Sequence, residues 1–248
     1  MNKYFNNNIL IDLKKHAEGQ APNEMCGFIV DDNFIPYTNK ADEPEANFKL
    51  SGKDFIDASM RGEIKCVVHS HNNCDWVSKA DQIEQQKHKI PFGVVFLKNN
   101  KYSNIIFWGD QLLVQDLIGR PFIHGVYDCY GLVRDYYRTK CGVNMLEHFR
   151  EMDWWDHKKD DKGNIIEPAE NVLIDGIKKE DAYEVSLNDI KEHDLIFFKI
   201  KGHFCNHTAV YLGKDLILHH MFDRLSNREP IGRYRRFITN IFRLRGVK

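Results

Sequence analysis

The sequence predicts an α+β protein made of two domains. Its 248 residues exceed the roughly 100–200 residues of an average domain, and 42% of them are hydrophobic, enough for a core in each half. A first series of strand and helix patterns stops near Gly109, and a second begins with an amphipathic helix at 128–140. We therefore expect a sheet flanked by helices at 1–110 and a helix packed on a small antiparallel sheet at 118–248.

Hydrophobic periodicity predicts the individual elements of each domain. The first domain has predicted helices at 9–17 and 79–89 and predicted strands at 26–30, 64–69, 92–97 and 104–108. The second has predicted helices at 128–140 and 172–178 and predicted strands at 194–200, 208–212, 216–219 and 234–243. The polar segments between them predict loops at 71–76 and 153–168.

Net charge and hydropathy exclude two classes of partner. The formal net charge is -1 at pH 7 and the pI is near 6.9, so no overall cationic field is present to hold nucleic acid. No apolar stretch approaches the roughly 18 residues of a membrane span. The start, MNKYFNNNILIDL, lacks the basic and apolar regions of a signal peptide. We predict no nucleic-acid partner, no membrane span and no signal peptide.

A first group of residues suits metal chemistry. His69 and His71 stand at the end of a predicted strand, and we expect both rings on one side if the chain turns between them. Asp81 follows ten residues later at the start of a predicted helix. Two imidazoles, a carboxylate and a water form an open, catalytic zinc site. Glu24 can accept that water's proton, and Ser78 can donate a hydrogen bond to the oxyanion.

The segment HSHNNCDWVSKAD, together with Glu24, resembles the JAMM motif of JAB/MPN metallopeptidases, which has a glutamate, H-[ST]-H and S-x-x-D in this order. The resemblance implies a JAB/MPN-like fold, Zn2+ held by His69, His71 and Asp81, and isopeptidase-like chemistry. Two alternatives stay open. The H-x-H pattern can arise by chance with Asp81 only capping its helix, or the domain can keep the fold as a docking module without turnover.

A second group suits nucleophilic catalysis. Cys129 lies in the first turn of the predicted helix 128–140, where the helix dipole and unpaired backbone N–H groups favour a thiolate. His207 begins the apolar segment HTAVYLG and His219 ends the next, DLILHH, so adjacent antiparallel strands can align the two rings. We expect Cys129 as nucleophile, His207 as its base and His219 as the orienting residue. The alternative is a structural cysteine beside core histidines.

Three segments around this group resemble the NlpC-type papain-like cysteine peptidases: DCYGLVRDYY, HDLIFFKI and NHTAVYLGKDLILHH. The family pattern is D-C-[SY]-G-L-V, then G-D-L-[LIV]-F, then H-x-x-[IV]-Y-x-G leading to a second histidine. That histidine stands twelve residues after the first, which selects His219 over His220. The resemblance covers about residues 118–248 and implies a papain-like fold and cysteine endopeptidase activity.

Two positions depart from this family pattern. His193 stands where the family has glycine. Phe122 is the aromatic residue nearest to the family's oxyanion-side tyrosine, so the oxyanion donor is either Tyr127 or backbone N–H groups near Cys129. The run MDWWD at 152–156 can line the cleft or dock a partner, but we interpret it as a loop anchored by its two tryptophans.

The order of the two domains, at this length, resembles the tail-tip or tail-assembly proteins of long-tailed bacteriophages. The resemblance implies synthesis in the host cytoplasm, a place in the virion tail tip beside other tail-tip proteins, and cutting of peptidoglycan peptide stems during tail assembly and DNA entry. Two further functions stay open. One is a structural tail-tip component with inactive or docking-only domains, and the other is a cellular zinc metallo-isopeptidase.

Overall fold

The computed structural model describes residues 4–98 and 101–247. The chain divides into two compact units, Met1–Leu113 and Val114–Lys248, where the sequence predicts a boundary between 110 and 118. Each unit combines helices with a six-stranded sheet, so the predicted α+β class is confirmed. Within the described ranges, no helix is both long enough and apolar enough to cross a membrane.

The first unit is built on a mixed sheet. Its described elements are α1 (Asn7–Gln20), β1 (Cys26–Val30), β2 (Asn33–Tyr37), α2 (Gly52–Arg61), β3 (Ile64–His71), α3 (Lys79–His88), β4 (Phe92–Lys98), β5 (Lys101–Tyr102) and β6 (Ile106–Trp108). The strand order is β2-β1-β3-β4-β5, with β6 also on β4. β3 and β4 are parallel because α3 crosses over between them. The N-terminus of α3 therefore follows the carboxyl end of β3.

Apolar periodicity explains how this unit packs. Ile9, Leu13 and Ala17 recur at helical spacing and bury one side of α1 against the sheet, in a cluster that includes Val68 and Val95. β1 is buried along its whole length, as a central strand requires. The sequence did not indicate β2 or α2, since β2 is only partly buried and α2 buries few apolar residues.

The second unit is built on an antiparallel sheet. Its described elements are α4 (Cys129–Tyr136), β7 (Lys158–Lys159), β8 (Ile165–Glu167), α5 (Val172–Ile177), β9 (Ala182–Glu184), β10 (Leu195–Phe198), β11 (His207–Tyr211), β12 (Leu216–His219), β13 (Asn227–Pro230) and β14 (Ile238–Leu244). The main sheet has the order β13-β12-β11-β10-β14-β9. β7 and β8 form a separate hairpin.

Alternation along these strands gives the sheet two buried faces. Phe197, Val210 and Leu218 share one apolar cluster with residues of α4 and α5. Their neighbours along the strands, among them Ala209 and Ile217, belong to a second cluster beneath short 3₁₀ segments. The predicted helix at 128–140 packs on the sheet as expected, but it changes from α to π geometry at 137.

A buried ion pair holds the start of α4. Asp128 is the N-cap, and its carboxylate accepts hydrogen bonds from the backbone N–H groups of Tyr130, Gly131 and Gly125 at 2.9–3.1 Å. Arg150 donates to both carboxylate oxygens, at 2.7 and 2.8 Å. Although burial opposes its charge, the Arg150 guanidinium holds the pKa of Asp128 well below its usual range. Cys129, the next residue, is thereby fixed in place.

The residue that replaces the family glycine adopts a glycine-like conformation. His193 has φ 72°, in the left-handed region, and its ring Nδ1 lies 2.7 Å from the Tyr136 hydroxyl. Asp194 is buried beside it, and its two carboxylate oxygens each lie 2.7 Å from the Arg243 guanidinium. This ion pair links Asp194, the residue before β10, to Arg243 on β14. The link explains why an aspartate stands at position 194.

We predict that Arg150→Ala destabilises the protein by about 3–5 kcal/mol, because it leaves the Asp128 carboxylate buried without its counter-charge. Urea unfolding monitored by circular dichroism measures the change. Arg245→Ala is the matched control, since the Arg245–Asp181 pair is 62% and 80% exposed and should contribute less than about 1 kcal/mol. Equal losses in the two variants would contradict a special role for the buried pair.

Candidate active site and candidate metal site

Cys129 is the first residue of α4 and is buried. Burial raises the pKa of its thiol to about 12, the neighbouring Asp128 charge adds to this, and a hydrogen bond with the backbone of Thr208 opposes it. The sequence predicts a thiolate here from the helix dipole. In this structure the raised pKa favours the protonated thiol at neutral pH, and burial is its largest cause.

His207 and His219 lie side by side on adjacent strands. His207 begins β11 and His219 ends β12, where it is paired with Ala209. The His207 Nε2 and His219 Nδ1 atoms are 3.1 Å apart. Burial first, and then the neighbouring His219 and His220, lower the pKa of His207 well below its usual value. His207 is therefore a neutral imidazole at neutral pH, and its Nδ1 is the nitrogen that can receive a thiol proton.

His220 takes a different position from His219. Its Nε2 lies 3.1 Å from the carbonyl oxygen of Arg224, and its ring contacts Phe122 edge-on. Both His220 and Phe122 line the same cleft as Cys129 and His207. His219 is therefore the neighbour of the His207 ring, while His220 forms part of the cleft wall.

The cleft at Cys129 has a volume of about 300 Å³ and a largely apolar, aromatic wall. The residues lining it are Phe122, His124, Asp128, Cys129, Asp153, Trp154, Trp155, Ile200, Lys201, Asn206, His207, His220, Met221 and Phe222. A cleft of this size accommodates a few residues of a peptide. Tyr127, one of the two predicted oxyanion donors, is not among these residues.

The two tryptophans both anchor a loop and line the cleft. Trp154 is buried in the core cluster of this unit, and the Trp155 carbonyl accepts hydrogen bonds from the backbone N–H groups of His203 and Phe204. Both residues also line the cleft. The sequence signal for this wall is the aromatic–acidic run itself, for which an anchored loop and a cleft lining are both predicted as alternatives, and the two tryptophans serve both purposes.

Glu229 is a polar neighbour of this site that the sequence did not indicate. It lies on β13, and its Oε2 is 3.4 Å from His219 Nε2. No strand is predicted at 227–230, because the segment NREP has no apolar alternation. Only the pairing of β12 with β13 brings this carboxylate to the histidine.

In the first unit, His69, His71 and Asp81 converge in a buried cluster. The Nε2 atoms of the two histidines are 3.1 Å apart, and the Asp81 carboxylate oxygens lie 3.4 Å from His69 and 3.1 Å from His71. Although burial opposes its charge, the two histidines hold the pKa of Asp81 well below its usual range. We predict from the sequence that the chain turns between the two histidines. This is wrong, because β3 continues through His71. Alternate residues of a strand already face the same side.

The donor set of this cluster fits zinc. Ligand atoms about 2.0–2.1 Å from a tetrahedral zinc lie about 3.3 Å from one another, close to the 3.1–3.4 Å found here. The other ring nitrogen of His71 lies 2.9 Å from the Trp76 carbonyl oxygen, an outer contact that orients a ligating imidazole. Two imidazoles and one carboxylate leave a fourth position for water.

Glu24 and Ser78 differ in how well they suit their predicted roles. Burial raises the pKa of Glu24 to about 7, with His71 opposing and Asp81 adding to the shift, so its carboxyl is suited to exchanging a proton near neutral pH. Ser78 is the N-cap of α3, and its hydroxyl donates to Asp81 Oδ2 at 2.6 Å. The Ser78 hydroxyl therefore orients Asp81. It would have to break this hydrogen bond before it could donate to an oxyanion.

Comparisons with known proteins agree with the geometry of the second unit. The model of the NlpC/P60 family matches residues 119–242. The chain is 27% identical over 231 residues to tail tip assembly protein K of Escherichia phage N15, covering 90% of this chain and 88% of that protein. It is 32% identical over 182 residues to tail tip assembly protein K of Escherichia phage lambda, and this match covers 73% of this chain and 81% of that protein.

The structure of an NlpC/P60 family protein from Bacillus cereus is 12% identical in sequence to this chain. The match covers 94% of this chain and 67% of that protein's chain, with a TM-score of 0.36. The assignment rests on the sequence matches, which include the segments around Cys129, His207 and His219. The chain therefore belongs to the NlpC/P60 family and is a homologue of tail tip assembly protein K.

Proposed function

We propose that this protein is a cysteine endopeptidase of the phage tail tip that hydrolyses peptidoglycan peptide stems during tail assembly and DNA entry. The observation that carries the proposal is that Cys129 and His207 line the same aromatic cleft, with the His219 ring 3.1 Å from His207. The name of the phage relatives supports the tail-tip location and other tail proteins as partners. Family membership supports the peptidase chemistry.

The acylation step begins from a neutral pair of residues. His207 Nδ1 takes the proton of the Cys129 thiol as the sulfur attacks the amide carbonyl carbon. The N–H groups of Tyr130 and Gly131 are bound to Asp128, so we assign oxyanion stabilisation to the Cys129 backbone N–H. His207 then gives its proton to the amide nitrogen, the C–N bond breaks, and a thioester remains on Cys129.

Deacylation uses the same base. A water gives a proton to His207 Nδ1 and attacks the thioester carbonyl carbon, and the C–S bond breaks. The proton returns to the Cys129 sulfur, and the peptide leaves with a new carboxylate. The aromatic wall formed by Trp154 and Trp155 holds the apolar surface of the peptide and limits the access of water.

We infer a second activity centre in the first unit, a JAMM-type zinc site with isopeptidase-like chemistry. The spacing of the His69, His71 and Asp81 ligand atoms favours it. Zinc would supply a Lewis acid and an activated water there. Of the chain's own residues, Glu24 exchanges the proton and Ser78 orients Asp81.

We predict that Cys129→Ala abolishes the release of stem peptides from purified peptidoglycan, because no other group at the cleft can form the thioester. Mass spectrometry of the products measures the released stem peptides and identifies the bond that is cut. Cys141→Ala is the control, since Cys141 lies in the same unit and is free but does not line the cleft. Full activity of Cys129→Ala would refute the nucleophile assignment. No release by folded wild-type protein would favour a structural tail component.

We predict that iodoacetamide alkylates Cys129 slowly at pH 7 and progressively faster up to pH 10 and beyond. A thiol whose pKa is raised to about 12 is still largely protonated where an ordinary cysteine, with a pKa of about 8.5, is already a thiolate. Peptide mapping at a series of pH values gives the rate at this residue, with free N-acetylcysteine as the reference. A rate that levels off below pH 8 would show a thiolate–imidazolium pair instead.

We predict that the purified protein binds one zinc ion and that His69→Ala loses it while wall hydrolysis continues, because the two sites use different residues. Metal analysis after dialysis measures the stoichiometry. His88→Ala serves as the control, since His88 lies in the same unit on the partly exposed end of α3. Retention of a full zinc equivalent by His69→Ala would show that this histidine is not a ligand.

A further inference from the structure

Three adjacent strands present a row of titratable side chains on one face of the second sheet. His207 lies on β11, His219 on β12 and Glu229 on β13. His219 is paired with Ala209, two residues after His207, and Glu229 is paired with Ile217, two residues before His219. Because alternate residues share a face, these three side chains lie on the same side of the sheet. The row runs from the cleft toward the β13 edge.

Glu229 is held with one oxygen toward His219. Its Oε2 lies 3.4 Å from His219 Nε2 and accepts a hydrogen bond from the Tyr234 hydroxyl. Its Oε1 accepts from the Asn227 amide at 3.4 Å and lies 3.7 Å from the Arg233 guanidinium. The hydrogen bond from Tyr234 is the largest cause that lowers the pKa of Glu229. Glu229 is therefore an ionised carboxylate, which can only accept hydrogen bonds.

An acceptor at this position determines the proton positions along the whole row. If His219 Nε2 carries the hydrogen that faces Glu229, then the neutral ring has a bare Nδ1. A bare Nδ1 requires His207 Nε2, 3.1 Å away, to be the donor between the two rings. His207 Nδ1 is then bare and can accept the Cys129 proton. The opposite tautomer of His219 would place a hydrogen on His207 Nδ1 and block that transfer.

We propose that Glu229 is a positioning residue that fixes the tautomers of His219 and His207, so that His207 Nδ1 is ready to act as the base for Cys129. The inference rests on the proposed peptidase function, since it assigns the base of that reaction. It also gives His219 a definite role: a neutral imidazole orients the base only when its own tautomer is fixed.

The other charged groups near His219 do not replace this carboxylate. His220 and Arg224 both lower the pKa of His219 and thus oppose a charge on its ring, and Glu229 raises it. Burial is the largest cause and also lowers the pKa. The Tyr234 ring packs edge-on against His219 at 4.9 Å, while its hydroxyl is directed to Glu229. Glu229 is thus the carboxylate that faces this imidazole, at the ion-pair distance of 3.4 Å.

The first experiment reads the tautomers directly and needs no substrate. Long-range proton–nitrogen spectra of the full chain labelled with ¹⁵N-histidine identify which ring nitrogen carries the hydrogen, and His219→Gln and His207→Gln assign the signals. We expect Nε2–H for both residues in wild type and a loss of this single tautomer in Glu229→Ala. Unchanged tautomers in Glu229→Ala would overturn the proposal, whether or not the protein cuts the cell wall.

The second experiment measures peptide release. Glu229→Ala should lower kcat by about tenfold or more with little change in KM, as expected when the orienting partner of a catalytic histidine is lost. Glu229→Gln keeps an acceptor oxygen and should restore part of the rate. Glu184→Gln, in the same sheet but at the β14–β9 edge, should match wild type.

A kcat for Glu229→Ala within twofold of wild type would refute the role of Glu229. If the alanine variant loses its melting transition, Glu229→Leu removes the acceptor while keeping side-chain bulk. A lowered kcat in this variant would then support the role of Glu229, and a kcat within twofold of wild type would refute it. Inactive wild-type protein with the expected tautomers would refute the proposed peptidase function and leave the proton arrangement standing.

Discussion

The buried pair of Asp128 and Arg150 is the constraint on which the candidate active site depends. The Asp128 carboxylate caps α4 and accepts a hydrogen bond from the backbone N–H of Gly125. It also binds the guanidinium of Arg150, which is itself buried. The position of the Cys129 sulfur follows from this cap, because Cys129 is the next residue and its backbone is fixed by it. Removing either charge would leave the other unpaired in the interior, so the chain keeps both.

The two units use an aspartate at a helix N-terminus in different ways. In the second unit Asp128 is an N-cap whose charge is neutralised by an arginine, and it fixes the backbone that carries Cys129, the proposed nucleophile. In the first unit Asp81 is the third residue of α3, in a capping box with Ser78, and faces His69 and His71. The capping box orients Asp81 toward the histidines, so a helix-starting motif also builds the candidate metal site.

Local patterns allowed most of the regular elements to be predicted, and the exceptions have physical causes. Strands β1 and β12 and helix α3 have strong apolar runs or capping signals, and their predicted positions agree with the structure. β2, β13 and the β7–β8 hairpin are short, polar or at sheet edges, so they depend on pairing with a neighbour and carry little signal of their own. The thiol pKa of Cys129 could not be predicted either, because it depends on burial by distant residues.

The sequence alone indicated the residues that we propose carry the chemistry, because the short segments around Cys129, His207 and His219 and the H-x-H segment can each be recognised without a structure. Only the tertiary structure decided their partners. Arg150 reaches Asp128 from 22 residues away, and Glu229 meets His219 through the register of two strands. Such contacts arise from strand pairing and close packing, which no local pattern of residues encodes.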